Sequence, residues 1–391
     1  MSATTTTSEL LSVPAMLEQA GKQSGLDDFG DTPYLDALNI LVASMKNDAC
    51  ITPKLYERLH KQIVGLLVNR AQIAADRKRT PGIAGLQIKR PILVVGFGRT
   101  GSTLIHSLLA EDPQHLAPRH WEVLRPAPAG LAKPDDARIL KAAEEIKQML
   151  AANPLVGVQH PYYITDGPQV TAECGHFLEM AFSSTYFWGY YGGGESYRNW
   201  LVSEEHGAST MAFHKQFLQH LQWGRDDGRT WVLKAPDHMM HLKSVVDVYP
   251  DARMIWTHRK PLTVLPSLAS VTAIVRSVNM EVDRPTVAKA SLKFQTDTLQ
   301  RGLADREKID PKQFYDLNYR DLVADPIGSV RRIYDYWDIE FTGEAETRMR
   351  AWLERNQQNQ HGEHKYSLDE LGMSAEQIER DYQAYSERFG L

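Results

Sequence analysis

Residues 91–103 read Pro-Ile-Leu-Val-Val-Gly-Phe-Gly-Arg-Thr-Gly-Ser-Thr. Ile92 to Val95 form a short apolar run of buried-strand type, and Gly96 to Gly101 form a glycine-rich turn. Leu104, Ile105, Leu108 and Leu109 then fall at helical spacing. A strand that enters a helix through such a turn directs backbone N–H groups and the positive end of the helix dipole at one point. That point suits a phosphate or a sulfate.

Outward from this unit, two similar ones follow. Trp231-Val232-Leu233 runs into Lys234-Ala235-Pro236-Asp237 and a helix ending near Val248, and Met254-Ile255-Trp256-Thr257 runs into His258-Arg259-Lys260-Pro261 and another helix. Residues 136–152, 171–190, 208–223 and 285–303 read as helices, and 313–317 as a further strand. Strands alternating with helices predict an α/β fold, a parallel β-sheet flanked by helices. Before the first strand, residues 12–80 are helical in pattern. Thr32-Pro33 and Thr52-Pro53 each place a hydroxyl N-cap before proline, and apolar stripes run through Leu35, Leu38, Val42 and Met45 and through Leu55, Leu59, Ile63 and Leu66. The expected organisation is an N-terminal helical section over 1–88 packing on a core domain over 89–391. The aromatics Phe177, Phe182, Tyr186, Phe187, Trp188, Tyr190 and Tyr191 are expected mostly in the core, with a few lining an apolar acceptor pocket.

Composition narrows the function classes. The 391 residues carry 44 basic and 49 acidic side chains, a net charge of −5, so bulk electrostatics give no reason to expect a nucleic-acid partner. The apolar runs fall far short of the ~20 residues a transmembrane helix needs. The N-terminus lacks the features of a secretory signal. Only Cys50 and Cys174 are present, which argues against a disulfide framework or a cysteine zinc site. A cytoplasmic protein is expected; a homo-oligomer stays open.

The turn admits three readings. Gly96-Phe97-Gly98-Arg99-Thr100-Gly101 satisfies the dinucleotide pattern G-x-G-x-x-G, but the acidic residue expected about 20 positions on falls in the loop-like Pro118-Arg119-His120-Trp121-Glu122. Gly96 and Gly101 also have the separation of a nucleoside-triphosphate loop, yet Ser102 stands in place of its lysine. In the third reading the side chains matter: Arg99 offers a cationic fork, and Thr100, Ser102 and Thr103 offer hydroxyls around Gly101.

On these residues the chain resembles the sulfotransferases that use 3′-phosphoadenosine-5′-phosphosulfate (PAPS), most closely their bacterial branch. Arg99-Thr100-Gly101-Ser102-Thr103 matches the family's loop for the 5′-phosphosulfate. Arg259 and Ser267, eight residues apart, match its pair for the 3′-phosphate, and Lys234 its strand-end lysine at the bridging oxygen. Tyr319 resembles the tyrosine that reaches the adenine, and Lys365 lies in a segment resembling the loop that closes over the cosubstrate. The resemblance implies a sulfotransferase fold related to the nucleotide-phosphate-loop folds, and PAPS-dependent transfer to the hydroxyl of an apolar or phenolic small molecule or lipid. Arg99 and Lys234 would act in catalysis, and no metal is called for. Part of the family places its base two residues after the lysine, where this chain has Pro236. The candidates are then Glu122, 23 residues after Arg99, and His238. The alternatives are an NAD(P)-dependent oxidoreductase and a catalytically silent nucleotide-binding protein.

Overall fold

The computed structural model describes residues 11–48, 52–133, 135–152, 156–157, 160–225, 228–278, 280–357 and 366–391. Five parallel strands form its sheet: β1 (Ile92–Gly96), β2 (His115–Leu116), β3 (Thr230–Lys234), β4 (Arg253–His258) and β5 (Phe314–Asn318), in the order β2-β3-β1-β4-β5. In register, Val94 lies opposite Lys234 and Ile255, and Gly96 opposite Thr257. Both faces of β1 are covered, so its five residues are all buried and read as an unbroken apolar run. The pleat sorts them. Ile92 and Val94 join Ile105, Leu108, Val232 and Ile255 on one face, while Leu93 and Val95 join Leu233, Met254 and Trp256 on the other.

The order removes one alternative. In the dinucleotide fold the first strand sits beside the second; here β1 lies between β3 and β4, and the two-residue β2 is an outer strand. Gly96 shows why β1 must end where it does. Its φ is +120°, and a Cβ would stand 2.6 Å from the Thr257 carbonyl oxygen of β4. Gly96→Ala is expected to cost about 2–4 kcal/mol of stability through strain plus a backbone clash, read as a fall in denaturant midpoint at unchanged m-value.

Two local expectations change. The 171–190 segment is three pieces, Cys174–Leu178, a 3-10 turn Glu179–Ala181, and Thr185–Tyr191. Between them Phe182 takes a left-handed φ of 54°. Ser183 and Ser184 explain the break, because short hydroxyl side chains compete for backbone groups and favour caps. Ser184 accepts from Tyr186 N at 3.2 Å. Thr52 caps the helix Pro53–Arg79 as expected, but the helix Leu35–Asn47 has Tyr34 at its N-cap rather than Thr32. The Thr32 carbonyl instead accepts from Arg70.

Arg70 ties the helical N-terminal region to the rest. Buried, it donates to the carbonyls of Phe29, Thr32 and Met180 at 2.9–3.1 Å and lies against the rings of Tyr34 and Phe213. Nearby, Gln62 of the same helix donates to Glu179 at 3.4 Å. Burial, and then Asp237, push the Glu179 carboxyl up to about 8, against the lowering effect of Gln62. A carboxyl whose folded pKa is raised supports the fold fully below its unfolded pKa and loses that support as pH climbs through the folded value. Glu179→Gln is therefore expected to match the wild type near pH 4 and to be more stable by roughly 3–5 kcal/mol at pH 9, measured by urea denaturation at both pH values.

Among the described residues, no helix is long and apolar enough to cross a membrane.

Candidate active site

The cleft is built at the carboxyl ends of β1, β3, β4 and β5. Gly101, with φ +82°, is the N-cap of the helix Ser102–Ala110. A Cβ there would meet Leu322 at 2.8 Å and Tyr319 at 3.0 Å, so only glycine lets the turn close on the segment after β5. The first-turn N–H groups of this helix lack intrahelical acceptors by geometry and open on the turn. Arg99 takes a left-handed φ of 68°. Thr100 faces inward: its hydroxyl meets Phe97 O at 2.6 Å and Thr257 Oγ1 at 2.7 Å, and the residue is fully buried. Its hydroxyl therefore braces the turn, leaving the backbone N–H as the group it can present to a ligand.

Arg259, just past β4, donates to the Arg99 carbonyl at 2.9 Å and lies 4.0 Å over the Tyr319 ring. Desolvation, and then the charge of Arg259, lower the Arg99 guanidinium below its ordinary value. Two adjacent guanidiniums make a ready anion site. The helix Pro261–Ser277, which carries buried Ser267, packs on the turn: a Cβ at Gly98 would touch Leu268 at 3.0 Å. Behind Arg259, His258 bonds Tyr385 Oη and Asp316 Oδ1, each at 2.8 Å, and stacks on Phe389. Burial raises the Asp316 carboxyl, but His258 and Arg306 outweigh it and hold it near 2. Tyr366 donates to Thr263 O at 2.9 Å, bringing the C-terminal segment to the cleft wall. Lys365 lies outside the described residues.

Lys234, at the end of β3, is almost wholly buried. Its ammonium donates to Thr103 Oγ1 at 3.2 Å and pairs closely with Glu173 Oε1. The other Glu173 oxygen accepts from Tyr186 Oη at 3.2 Å. Burial pushes the Glu173 carboxyl up, but the charge and hydrogen bond of Lys234, with His176 and His160, hold it below the usual range. Around Glu173 stand rings in edge-to-face contact: His176 with Tyr186 at 4.8 Å, His120 with His176 at 5.7 Å, and His120 with Tyr163 at 5.1 Å. Burial drives His120 to about 3 and His176 to about 4, so the imidazoles of this wall are neutral at physiological pH.

The structure thus brings together Arg99, Thr100, Gly101, Ser102, Thr103, Lys234, Arg259 and Tyr319, with the Ser267 helix against them. It does not bring Glu122 to them with a free carboxylate. Glu122 accepts from Arg119 N at 2.9 Å with one oxygen, pairs with Arg225 through the other, and is 2% exposed. His238 is buried under the cleft, its ring 5.2 Å from His214. Asp237 accepts from Thr185 N and Oγ1, joining the β3 segment to the helix Thr185–Tyr191. Glu173 escaped the sequence reading. Its one local signal is its place before the helix Cys174–Leu178, which looks like ordinary capping; nothing in the spacing links it to Lys234, 61 residues on.

Comparison with known proteins places this geometry. The sulfotransferase family profile matches residues 91–343. The chain is 28% identical over 253 residues to omega-hydroxy-beta-dihydromenaquinone-9 sulfotransferase Stf3 of Mycobacterium bovis and of Mycobacterium tuberculosis. The match covers 63% of this chain and spans 62% of the length of those relatives. Sulfotransferase STF1 from Mycobacterium tuberculosis superposes with a TM-score of 0.82 at 26% identity, over 95% of this chain and 98% of that one. Sulfotransferase STF9 from Mycobacterium avium superposes at 0.87 and 26% identity, over 97% of each chain.

Proposed function

This chain belongs to the sulfotransferase family, and we propose that it moves a sulfuryl group from PAPS to the hydroxyl of an apolar or phenolic acceptor, lipids included. The observation that carries the reading is the meeting of Arg99, Lys234 and Arg259 around one glycine turn, with Glu173 held against the lysine. The residues fit the donor. The turn N–H groups and Arg99 suit the 5′-phosphosulfate, Arg259 and Ser267 the 3′-phosphate, and Tyr319 and Tyr366 flank the adenosine side.

Transfer is an in-line displacement: the acceptor oxygen bonds to sulfur as the bond from sulfur to the bridging phosphate oxygen breaks. The protein positions the partners and neutralises growing charge. Glu173 takes the hydroxyl proton as that oxygen attacks. Lys234 releases Glu173 and meets the negative charge that develops on the bridging oxygen. Three cationic side chains supply the neutralisation, so the step needs no metal. The neutral wall of His120, Tyr163, His176 and Tyr186 suits an uncharged, ring-bearing acceptor. The name of the relative Stf3 specifies a hydroxylated menaquinone derivative, an acceptor of the same chemistry. We extend the reading to a cytoplasmic enzyme.

Calorimetric titration with adenosine 3′,5′-bisphosphate, NADH and ATP is expected to show binding of the first alone. Radiolabelled PAPS should then label hydroxylated prenyl quinones or simple phenols. Binding of NADH alone would overturn the reading. Bisphosphate binding with no transfer to any hydroxyl in a broad acceptor screen would reduce the protein to a nucleotide-binding one.

A further inference from the structure

Beneath the Glu173–Lys234 pair, three side chains from separate segments meet in the core. Cys174 opens the helix Cys174–Leu178, His214 lies on the helix Gly207–Gln222, and His238 sits in the 3-10 turn Pro236–Met240. The cysteine sulfur and one ring nitrogen from each histidine all lie within 4.8 Å of one another, and all three residues are fully buried.

The second observation is the hydrogen bonding. Neither ring nitrogen of His238 has a partner, so whichever one faces the cluster is unpaired. In His214, Nδ1 bonds the Tyr249 hydroxyl at 2.8 Å, and Nε2 has no partner. Buried polar groups are paired as a rule, and an orphan cluster calls for a missing partner.

We propose that Cys174, His214 and His238 bind a zinc ion as three of its four ligands, with water in the fourth position. One thiolate and two imidazoles make the borderline-soft set that zinc favours over magnesium or calcium. Metal–ligand distances of about 2.0–2.3 Å put tetrahedral ligand atoms roughly 3.3–3.7 Å apart, inside the 4.8 Å within which these three atoms lie. On binding, the sulfur–hydrogen bond of Cys174 gives way to a sulfur–zinc bond, and the proton leaves to solvent. The Tyr249 hydroxyl on His214 is then an outer partner that fixes the ring. Chain spacing hides this set, since 40 residues separate Cys174 from His214 and 24 separate His214 from His238. Cys174 follows Glu173 directly, and His238 lies four residues after Lys234. The ion would pin together the two segments that carry those groups, without touching substrate.

The test is elemental analysis of the untagged full chain, grown with zinc and dialysed against EDTA. The expected content is about one zinc per chain, falling below about a tenth in Cys174→Ser and His238→Ala. Misfolding of those variants is controlled by the wild type itself. Expressed in zinc-free medium with cobalt, it should show thiolate-to-cobalt absorption in the near ultraviolet and tetrahedral visible bands. Zinc that EDTA removes, zinc that persists in folded Cys174→Ser, or cobalt protein without thiolate absorption would each overturn the proposal.

Discussion

Glu173→Gln is expected to lower kcat by about 10²- to 10⁴-fold with affinity for adenosine 3′,5′-bisphosphate retained. The substitution keeps the shape and the Tyr186 contact but removes the proton acceptor. The wild-type carboxylate is held below the ordinary glutamate range by Lys234, His176 and His160 against the upward push of burial. The acid limb of kcat/KM for the wild type should therefore fall below about pH 4.5. Lys234→Met removes the largest lowering influence and leaves burial in place, so its residual activity should show an acid limb displaced to higher pH. It should also lose the leaving-group cation, compounding the fall in rate. Glu122→Gln is the contrasting variant. It leaves the partly buried Arg225 without its charge partner, so its cost should appear in stability while turnover survives. Wild-type turnover in Glu173→Gln, with loss in Glu122→Gln, would reassign the base to Glu122.

Arg259→Ala is expected to weaken adenosine 3′,5′-bisphosphate binding by about 2–4 kcal/mol, roughly 30- to 1,000-fold. Arg259 has two attachments, the Arg99 carbonyl and the Tyr319 ring, so its removal loosens the turn as well as deleting a cation. Titration with adenosine 5′-monophosphate separates the effects. If Arg259 holds the 3′-phosphate, the bisphosphate must lose more affinity than the monophosphate. Equal losses would show that it acts only through the turn. Arg259→Lys should recover a minor part, because an ammonium neither forks around a phosphate nor stacks on the tyrosine as a planar guanidinium does.

The contrast between Arg259 and Glu173 says what the sequence could convey. Arg99, Lys234 and Arg259 sit where apolar strands give way to turns, and strand-turn-helix units carry their last side chains to the same edge of a parallel sheet. Chain-local pattern therefore sufficed for the α/β class, and together with the family resemblance it singled out three side chains that the fold gathers at one edge. Glu173 belongs to a broken stretch whose partner Lys234 is remote in sequence, and only packing joins them. The same limit explains Glu122: its interval from Arg99 was legible, but not that Arg119 and Arg225 would take both its oxygens. Thr100 shows a subtler loss. Its hydroxyl type was visible, while its inward direction depends on the left-handed backbone of Arg99 and on Thr257 across the sheet. β2 was missed because two residues carry no periodicity.

The central position of β1 has a bearing on how the chain is made. Its two pairing partners lie about 140 and 160 residues downstream, and parallel strands cannot zip from a hairpin. On a ribosome adding about 5–20 residues per second, the glycine turn waits on the order of ten seconds for the strands that fix it. Throughout that interval β1 is an apolar segment without neighbours, the kind of surface chaperones cover. Native packing of the turn is thus a late event in synthesis. Bisphosphate binding, followed on chains arrested at successive lengths, should first appear only after β4 and β5 have cleared the exit tunnel.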